Sequence, residues 1–196
     1  MNGSWTVLRE QDYVVSAWSG GTTTQLAIAP EGALYADRRF LWRVSSAGVE
    51  LEESEFTALP EYWRLIATLE GEITLRHDGG EPLHLRPLEV HGFDGAWATQ
   101  SFGRCRDFNL MLRKGRAEGE MEALPLEESR RLPADPRGGE QLLFCVRGGC
   151  RIESGEDRAL LRPNESLLTG AERPLRLIPE DRWTVLMRCR MRRCEK

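Results

Sequence analysis

LIATLEGEITL, residues 65 to 75, has a counterpart later in the same chain, LLFCVRGGCRI at residues 142 to 152. Each reads as an apolar run, a charged residue, a glycine and a second run. A further pair follows at almost the same distance, LRPLE at 85–89 and LRPNE at 161–165. Gly148 lies 77 residues beyond Gly71, and Pro163 lies 76 beyond Pro87. A strand, a tight glycine connection, a second strand and a proline turn, recurring at one offset, predict a duplicated β-unit. Glycine tolerates the tight connection. Proline starts a turn where its missing N–H costs no ladder bond. Each unit would hold on the order of 100 residues and be marginal alone, so the two are expected to stabilise one another.

Working outward, the remaining sequence is mostly short strands broken by Gly, Pro, Asp and Asn. FLWRVSSAGVEL (40–51), YWRLIATLEGEITLRHDGG (62–80), EPLHLRPLEVHGFDG (81–95) and QSFGRCRDFNLMLRKG (100–115) all read this way. Many short strands with regular turn signals predict an all-β sandwich or barrel. AEGEMEALPLEESR (117–130) contains helix-favouring residues, but Pro125 interrupts it, so an irregular acidic connector is expected there. The predicted division is residues 1–115 as the first barrel, and 116–196 as the second with a basic tail, MRCRMRRCEK (187–196), in water.

The charge balance, 27 Lys and Arg against 31 Asp and Glu, lacks the basic surplus of nucleic-acid binders. No apolar run approaches the ~20 residues of a membrane span, and the first residues show no signal-peptide core, so a cytoplasmic protein is expected. The five cysteines are odd in number and form no C-x-x-C pair, which suggests neither a disulfide framework nor zinc. Cys145, Cys150 and Cys189 are expected as buried thiols, and Cys194 as an exposed one.

The candidate site starts from DFNLM, residues 107–111. In a strand Asp107, Asn109 and Met111 share one face, with Phe108 and Leu110 on the other. In LWRVSS, Arg43 and Ser45 likewise share a face. An arginine beside a hydroxyl suits a carboxylate ligand. The alternative is a structural ion pair of Arg43 with Asp107 or Glu70. Asp107 and Asn109 either line a polar cavity, where Asp107 orients Arg43 or accepts from a ligand, or bond to backbone in the loop after Trp18. GGTTTQ (20–25) offers hydroxyls and an amide, without the lysine of a phosphate loop. Trp18, Trp42 and Trp63 fit core or barrel-end packing, and Arg64 is placed at a pocket rim. His77, His84 and His91 are spaced seven apart, which alternates faces in a strand. They are expected as scattered edge residues, with no metal ligands named. The second repeat shows no matching polar motif and is expected to be structural or dimerising.

The glycine between strands followed by a P-x-E turn resembles the cupin jelly roll. WSGGTTTQLAIAP (18–30), FLWRVSSAGVE (40–50), FTALP (56–60), LEGEITL (69–75) and DFNLM (107–111), in this order, resemble the HutD/Ves family of bicupins, within the RmlC-like cupin superfamily. The resemblance implies two jelly-roll β-barrels from an internal duplication. It also implies a connection with histidine utilisation, where binding of a small acidic intermediate such as N-formylglutamate has been proposed. The family's usual W-[KR]-N-G-G-G-x-T-x-E is altered: Trp18 is kept, the basic residue and Asn are absent, and Thr23 and Gln25 fall where T-x-E would be.

The expected function is therefore metal-independent binding of a small polar or acidic metabolite, with no cofactor. Trp18, Thr23, Gln25, Arg43, Ser45, Arg64, Asp107 and Asn109 would line the site, and none is assigned as catalytic. The alternatives are a metal-free isomerase or hydrolase using Asp107 as base, or an interaction protein with no ligand. By analogy with cupins, a homodimer is compatible with the sequence.

Overall fold

A computed structural model describes residues 5–194, and among these there is no α-helix. Two compact units divide the chain. One spans Tyr13–Glu118 and includes Cys194; the other joins the described residues up to Asp12 to Gly119–Arg193.

The first strand, β1 (Trp5–Leu8), opens the chain. The N-terminal unit then contains β2 (Val14–Trp18), β3 (Gly21–Ala29), β4 (Trp42–Val49), β5 (Glu53–Glu55), β6 (Tyr62–Glu70), β7 (Ile73–His77), β8 (Leu83–Leu85), β9 (His91–Asp94), β10 (Thr99–Phe102) and β11 (Cys105–Arg113). They form two sheets, β2-β3-β4-β11-β6-β9 and β5-β10-β7-β8. The C-terminal unit contains β12 (Ala117–Leu126), β13 (Arg130–Leu132), β14 (Glu140–Arg147), β15 (Cys150–Ser154), β16 (Asp157–Leu161), β17 (Ser166–Gly170), β18 (Leu175–Pro179) and β19 (Thr184–Arg193). Its sheets are β1-β17-β14-β19-β12 and β13-β18-β15-β16.

The two strand orders match one for one. Orders β4-β11-β6-β9 and β5-β10-β7-β8 become β12-β19-β14-β17 and β13-β18-β15-β16 when each strand is replaced by the one eight places later. The repeated motifs sit at matching turns. Gly71 and Gly148 both adopt φ +74°. A Cβ at Gly71 would lie 2.5 Å from the Arg104 carbonyl oxygen, and one at Gly148 would lie 2.8 Å from Thr184 Cα, so both positions require glycine. In each L-R-P-x-E turn the glutamate accepts the arginine backbone N–H, Arg86 to Glu89 at 3.0 Å and Arg162 to Glu165 at 2.9 Å. The residue after each proline is left-handed, Leu88 at φ +69° and Asn164 at φ +72°. Asparagine is several-fold enriched in that region and leucine is not. Leu88→Asn is therefore expected to stabilise the protein by about 1 kcal/mol, read as a raised midpoint in urea.

Several sequence expectations change here. No sheet closes on itself among the described residues; each unit is a pair of open sheets rather than a hydrogen-bonded barrel. The 1–115 boundary assigned β1 to the first unit, but β1 pairs with β17 from Trp5↔Thr169 to Leu8↔Ser166 and belongs to the second. The expected connector at 117–130 is largely β12, an outermost strand of its sheet, where Pro125 is tolerated. Nor is 187–194 a solvated tail: β19 runs to Arg193 and buries Met187, Arg188, Cys189 and Met191, and the last two residues of the expected tail lie outside the described residues. Cys145, Cys150 and Cys189 are buried thiols, as read, and Cys194 is half-buried rather than exposed. Trp42 is buried, whereas Trp18 and Trp63 remain substantially exposed.

The cores differ between the halves. In the C-terminal unit one continuous cluster fills the space between sheets, from Leu124 and Leu143 on one to Ile152 and Leu177 on the other. Among the described residues of the N-terminal unit, smaller clusters form, Ile66–Ile73–Leu75–Leu85–Phe93 and Phe40–Leu59–Tyr62–Met111 among them.

Candidate functional site

In the six-stranded sheet, antiparallel register aligns residues of one face into rows. Asn109 pairs with Ser45 and Ile66, and Gln25 with Ser45. Met111 pairs with Arg43 and Arg64, and Asp107 with Ala47 and Thr68. Directly opposed residues share a face, so Arg43, Ser45, Arg64, Asp107 and Asn109 converge. The alternation in DFNLM separates this polar interior from a second, apolar one, because Phe108 and Leu110 on the opposite face are also buried.

These side chains line a cavity of about 270 Å³, just under the roughly 300 Å³ at which ligand sites usually begin. Trp18 and Thr23 also line it, with Tyr35, Phe56 and Met111 among the others. Of the eight residues singled out in the sequence, seven border this cavity and Gln25 stands behind it, accepting from Arg43 Nε at 2.8 Å. Arg43 Nη1 also donates to Ser45 Oγ at 3.0 Å, and its guanidinium lies 4.3 Å from the Tyr35 ring centroid. Arg64 is held more loosely. Its Nη1 donates to the Thr57 carbonyl and its Nη2 to Asn109 Oδ1, both at 3.4 Å, while its buried Nε has no partner among the described residues. Its guanidinium lies 4.9 Å from the Phe56 ring centroid and 5.1 Å from that of Phe93. Arg64 is thus a buried wall of the cavity and not its rim; only 7% of it is exposed.

Asp107 is held by Ala47 N–H at 3.0 Å and Asn109 Nδ2 at 2.7 Å, both on Oδ1. Its backbone partner is thus on β4 and not in the loop after Trp18. Neither Arg43 nor Arg64 forms an ion pair with it, and Glu70 pairs with Arg106 instead. The structural ion pair weighed for Arg43 is therefore absent among the described residues, and Asp107 does not orient Arg43. Burial governs the titration of all three groups. It pushes the Asp107 carboxyl up to about 6, against the pull of Ala47 N–H and the arginines. It draws Arg64 down to about 10 and lowers Arg43 as well.

The equivalent face of the C-terminal unit is also polar, which the sequence reading missed. Aligned on Gly71 and Gly148, Gln141 stands where Arg64 does, and Arg188 and Arg190 stand where Asn109 and Met111 do. There the charges are neutralised. Buried Arg188 donates to Gln141 Oε1 from Nε and Nη2, at 3.0 and 2.7 Å, and pairs with Glu122 at 3.3 Å. Arg190 pairs with Glu120 and reaches Asp135 at 3.8 Å. Alternation in EALPLEESR and MRCRMRR hid this set, because Pro125 and the run of arginines read as connector and tail.

The histidines are not scattered. His77 and His91, on different sheets of the unit, meet Nε2 to Nε2 at 3.0 Å, and His77 Nδ1 lies 2.8 Å from Thr99 Oγ1. His84 is exposed beside Glu72. Thr99 Oγ1 also lies 3.3 Å from the Trp97 carbonyl, so the hydroxyl ties the imidazole pair to the backbone of the β9–β10 connection. Burial lowers both imidazole pKa values. The unfolded chain takes up these protons more readily, so the fold loses stability as pH falls below the ordinary histidine value. His91→Gln is expected to cost about 1 kcal/mol at pH 7.5 and to flatten the drop in melting temperature between pH 7 and 5.

Paired open β-sheets around an interior pocket define a cupin-like architecture. A cupin 2 conserved barrel domain protein from Leptotrichia buccalis superposes with TM-score 0.58 at 8% identity, covering 95% of this chain and 96% of that one. More specifically, residues 10–187 match the HutD family, and the chain belongs to it. A conserved protein of unknown function from Pseudomonas aeruginosa PAO1 is 26% identical with TM-score 0.84, over 96% of this chain and 98% of that one. HutD from Pseudomonas fluorescens SBW25, solved in a formate condition, is 21% identical with TM-score 0.78, over 98% and 100%. No curated protein matches the sequence.

Proposed function

We propose that this HutD-family protein is a bicupin, two jelly rolls derived from an internal duplication, whose N-terminal unit binds a small carboxylate metabolite. The one-for-one strand orders support the duplication. The observation that carries the binding reading is the pair of buried guanidinium groups facing one cavity, neither in an ion pair among the described residues. Burying a charge without a partner is costly. The C-terminal unit avoids that cost at matching positions with Gln141, Glu120 and Glu122. A carboxylate ligand would supply the missing partner in the N-terminal unit.

A metal, as many cupins hold, does not fit this wall. Its cationic side chains would repel one, Asp107 and Asn109 are bonded to each other, and no histidine or cysteine faces the cavity. Family membership supports a regulatory or supporting role in amino-acid catabolism, histidine utilisation included. The cavity size favours a metabolite of a few carbons. A thermal-shift series with formate, glutarate, glutamate and N-formylglutamate tests the reading, with neutral amides as controls. Stabilisation by carboxylates alone is expected, and a flat response to all of them overturns it.

The raised pKa of Asp107 favours a second reading, a metal-free isomerase or hydrolase with Asp107 as base. Turnover lost in Asp107→Asn with binding retained would establish it.

A further inference from the structure

Asp107 poses a problem for any anion entering the N-terminal cavity. It lines the cavity beside Arg43 and Arg64 and is 4% exposed. Oδ1 already accepts two hydrogen bonds, whereas Oδ2 receives none from the described residues. A carboxylate drawn to the guanidinium groups meets this second carboxylate. Two carboxylates in one desolvated site do not both stay ionised cheaply; one takes a proton and donates a strong hydrogen bond to the other.

The surroundings decide which one. Facing Asp107 are Arg43 from β4 and Arg64 from β6. Arg38 and Tyr35 stand beyond Arg43, and Glu55 from β5 is exposed at the edge of the cavity. On its own strand, burial pushes the Cys105 thiol up to about 12, so it stays neutral. The arginines favour ionised Asp107, but burial outweighs them. A ligand carboxylate between the two guanidinium groups would take over their charge and leave Asp107 with less of it.

We propose that anion binding in this cavity is proton-coupled: as a carboxylate settles between Arg43 and Arg64, Asp107 takes one proton from solvent onto Oδ2 and donates it as a hydrogen bond to the ligand. The inference rests on the carboxylate-binding reading and adds that binding strengthens as pH falls. It also assigns Asp107 as the group that disfavours ligands unable to accept a hydrogen bond beside their charge.

The test uses the full chain and ¹³C-labelled formate, which stays ionised from roughly pH 5 to 8 and brings no donor of its own. NMR titration is expected to give affinity that weakens about tenfold for each pH unit above neutral. Calorimetry in two buffers of different ionisation heat, at pH 7.5, should show uptake of close to one proton per formate bound. In Asp107→Asn the affinity should be independent of pH and tighter than wild type at pH 8, with no proton uptake. Saturable formate binding by the wild type with a flat pH profile and no proton uptake overturns the coupling and leaves the carboxylate reading standing. No saturable binding of formate or glutarate at pH 5.5 overturns both. The wild-type calorimetry decides the matter even if the variant fails to fold.

Discussion

Arg64→Met is expected to lower carboxylate affinity by about a hundredfold and, in the same protein without ligand, to raise the melting temperature. The two effects share one cause. The guanidinium is buried, its two hydrogen bonds are long at 3.4 Å, and its Nε has no partner among the described residues. Losing a charged hydrogen-bond partner for a desolvated carboxylate costs on the order of 3 kcal/mol, a hundredfold in affinity. Replacing a poorly satisfied buried charge by an apolar chain of similar length is neutral or stabilising. Arg43→Met should lose similar affinity without the stability gain, since Gln25 Oε1 and Ser45 Oγ would lose a partner at 2.8 and 3.0 Å. Titration by calorimetry and melting curves on both variants separate these outcomes. If both variants bind a carboxylate as tightly as the wild type, the cavity is not the site. A protein that keeps a destabilising arginine in place for a ligand trades stability for function.

The face carrying this site was legible because its strands obey a period of two. Arg43 with Ser45, and Asp107 with Asn109, fall on one side of β4 and β11 by alternation alone, and the neighbouring pairing of those strands brings them together. Phe56 could have been found, since FTALP belongs to the segments resembling the family. Tyr35 could not: it reaches Arg43 from a short 3₁₀ turn, Tyr35–Asp37, which carries no periodic signal. The duplicated motifs were legible for a different reason. Gly71, Gly148 and the two L-R-P-x-E turns are positions where backbone geometry restricts the residue, so identity persists there while the strands between diverge. The polar interior of the C-terminal unit escaped notice because charge reads as exposure. Arg188, Arg190, Glu120 and Glu122 look like a solvated surface until β12 and β19 are paired, and only then do the opposite charges meet. The meeting of His77 with His91 was likewise invisible, since it joins strands of different sheets.

Asp107→Asn is expected to stabilise the ligand-free protein by up to about 3 kcal/mol at pH 8, with the advantage shrinking as pH falls. The carboxyl titrates at about 6 in the fold, against 3.8 for an ordinary aspartate. The folded state therefore holds this proton more tightly than the unfolded chain does. Stability from this group is complete below pH 3.8 and is lost as pH rises through the folded value. At 1.36 kcal/mol per unit the full loss is about 3 kcal/mol, of which roughly half has accrued by pH 5. The stability gap between variant and wild type should thus widen by roughly 1 kcal/mol from pH 5 to pH 8, measured by urea denaturation. Asparagine keeps an acceptor for Ala47 N–H, so the hydrogen bond from β4 to this side chain survives. A gap that stays constant with pH would mean that Asp107 is already neutral, or already solvated, throughout this range. Its negative charge would then not be what a ligand carboxylate has to overcome, and the excess of buried cations in the cavity would alone account for anion binding.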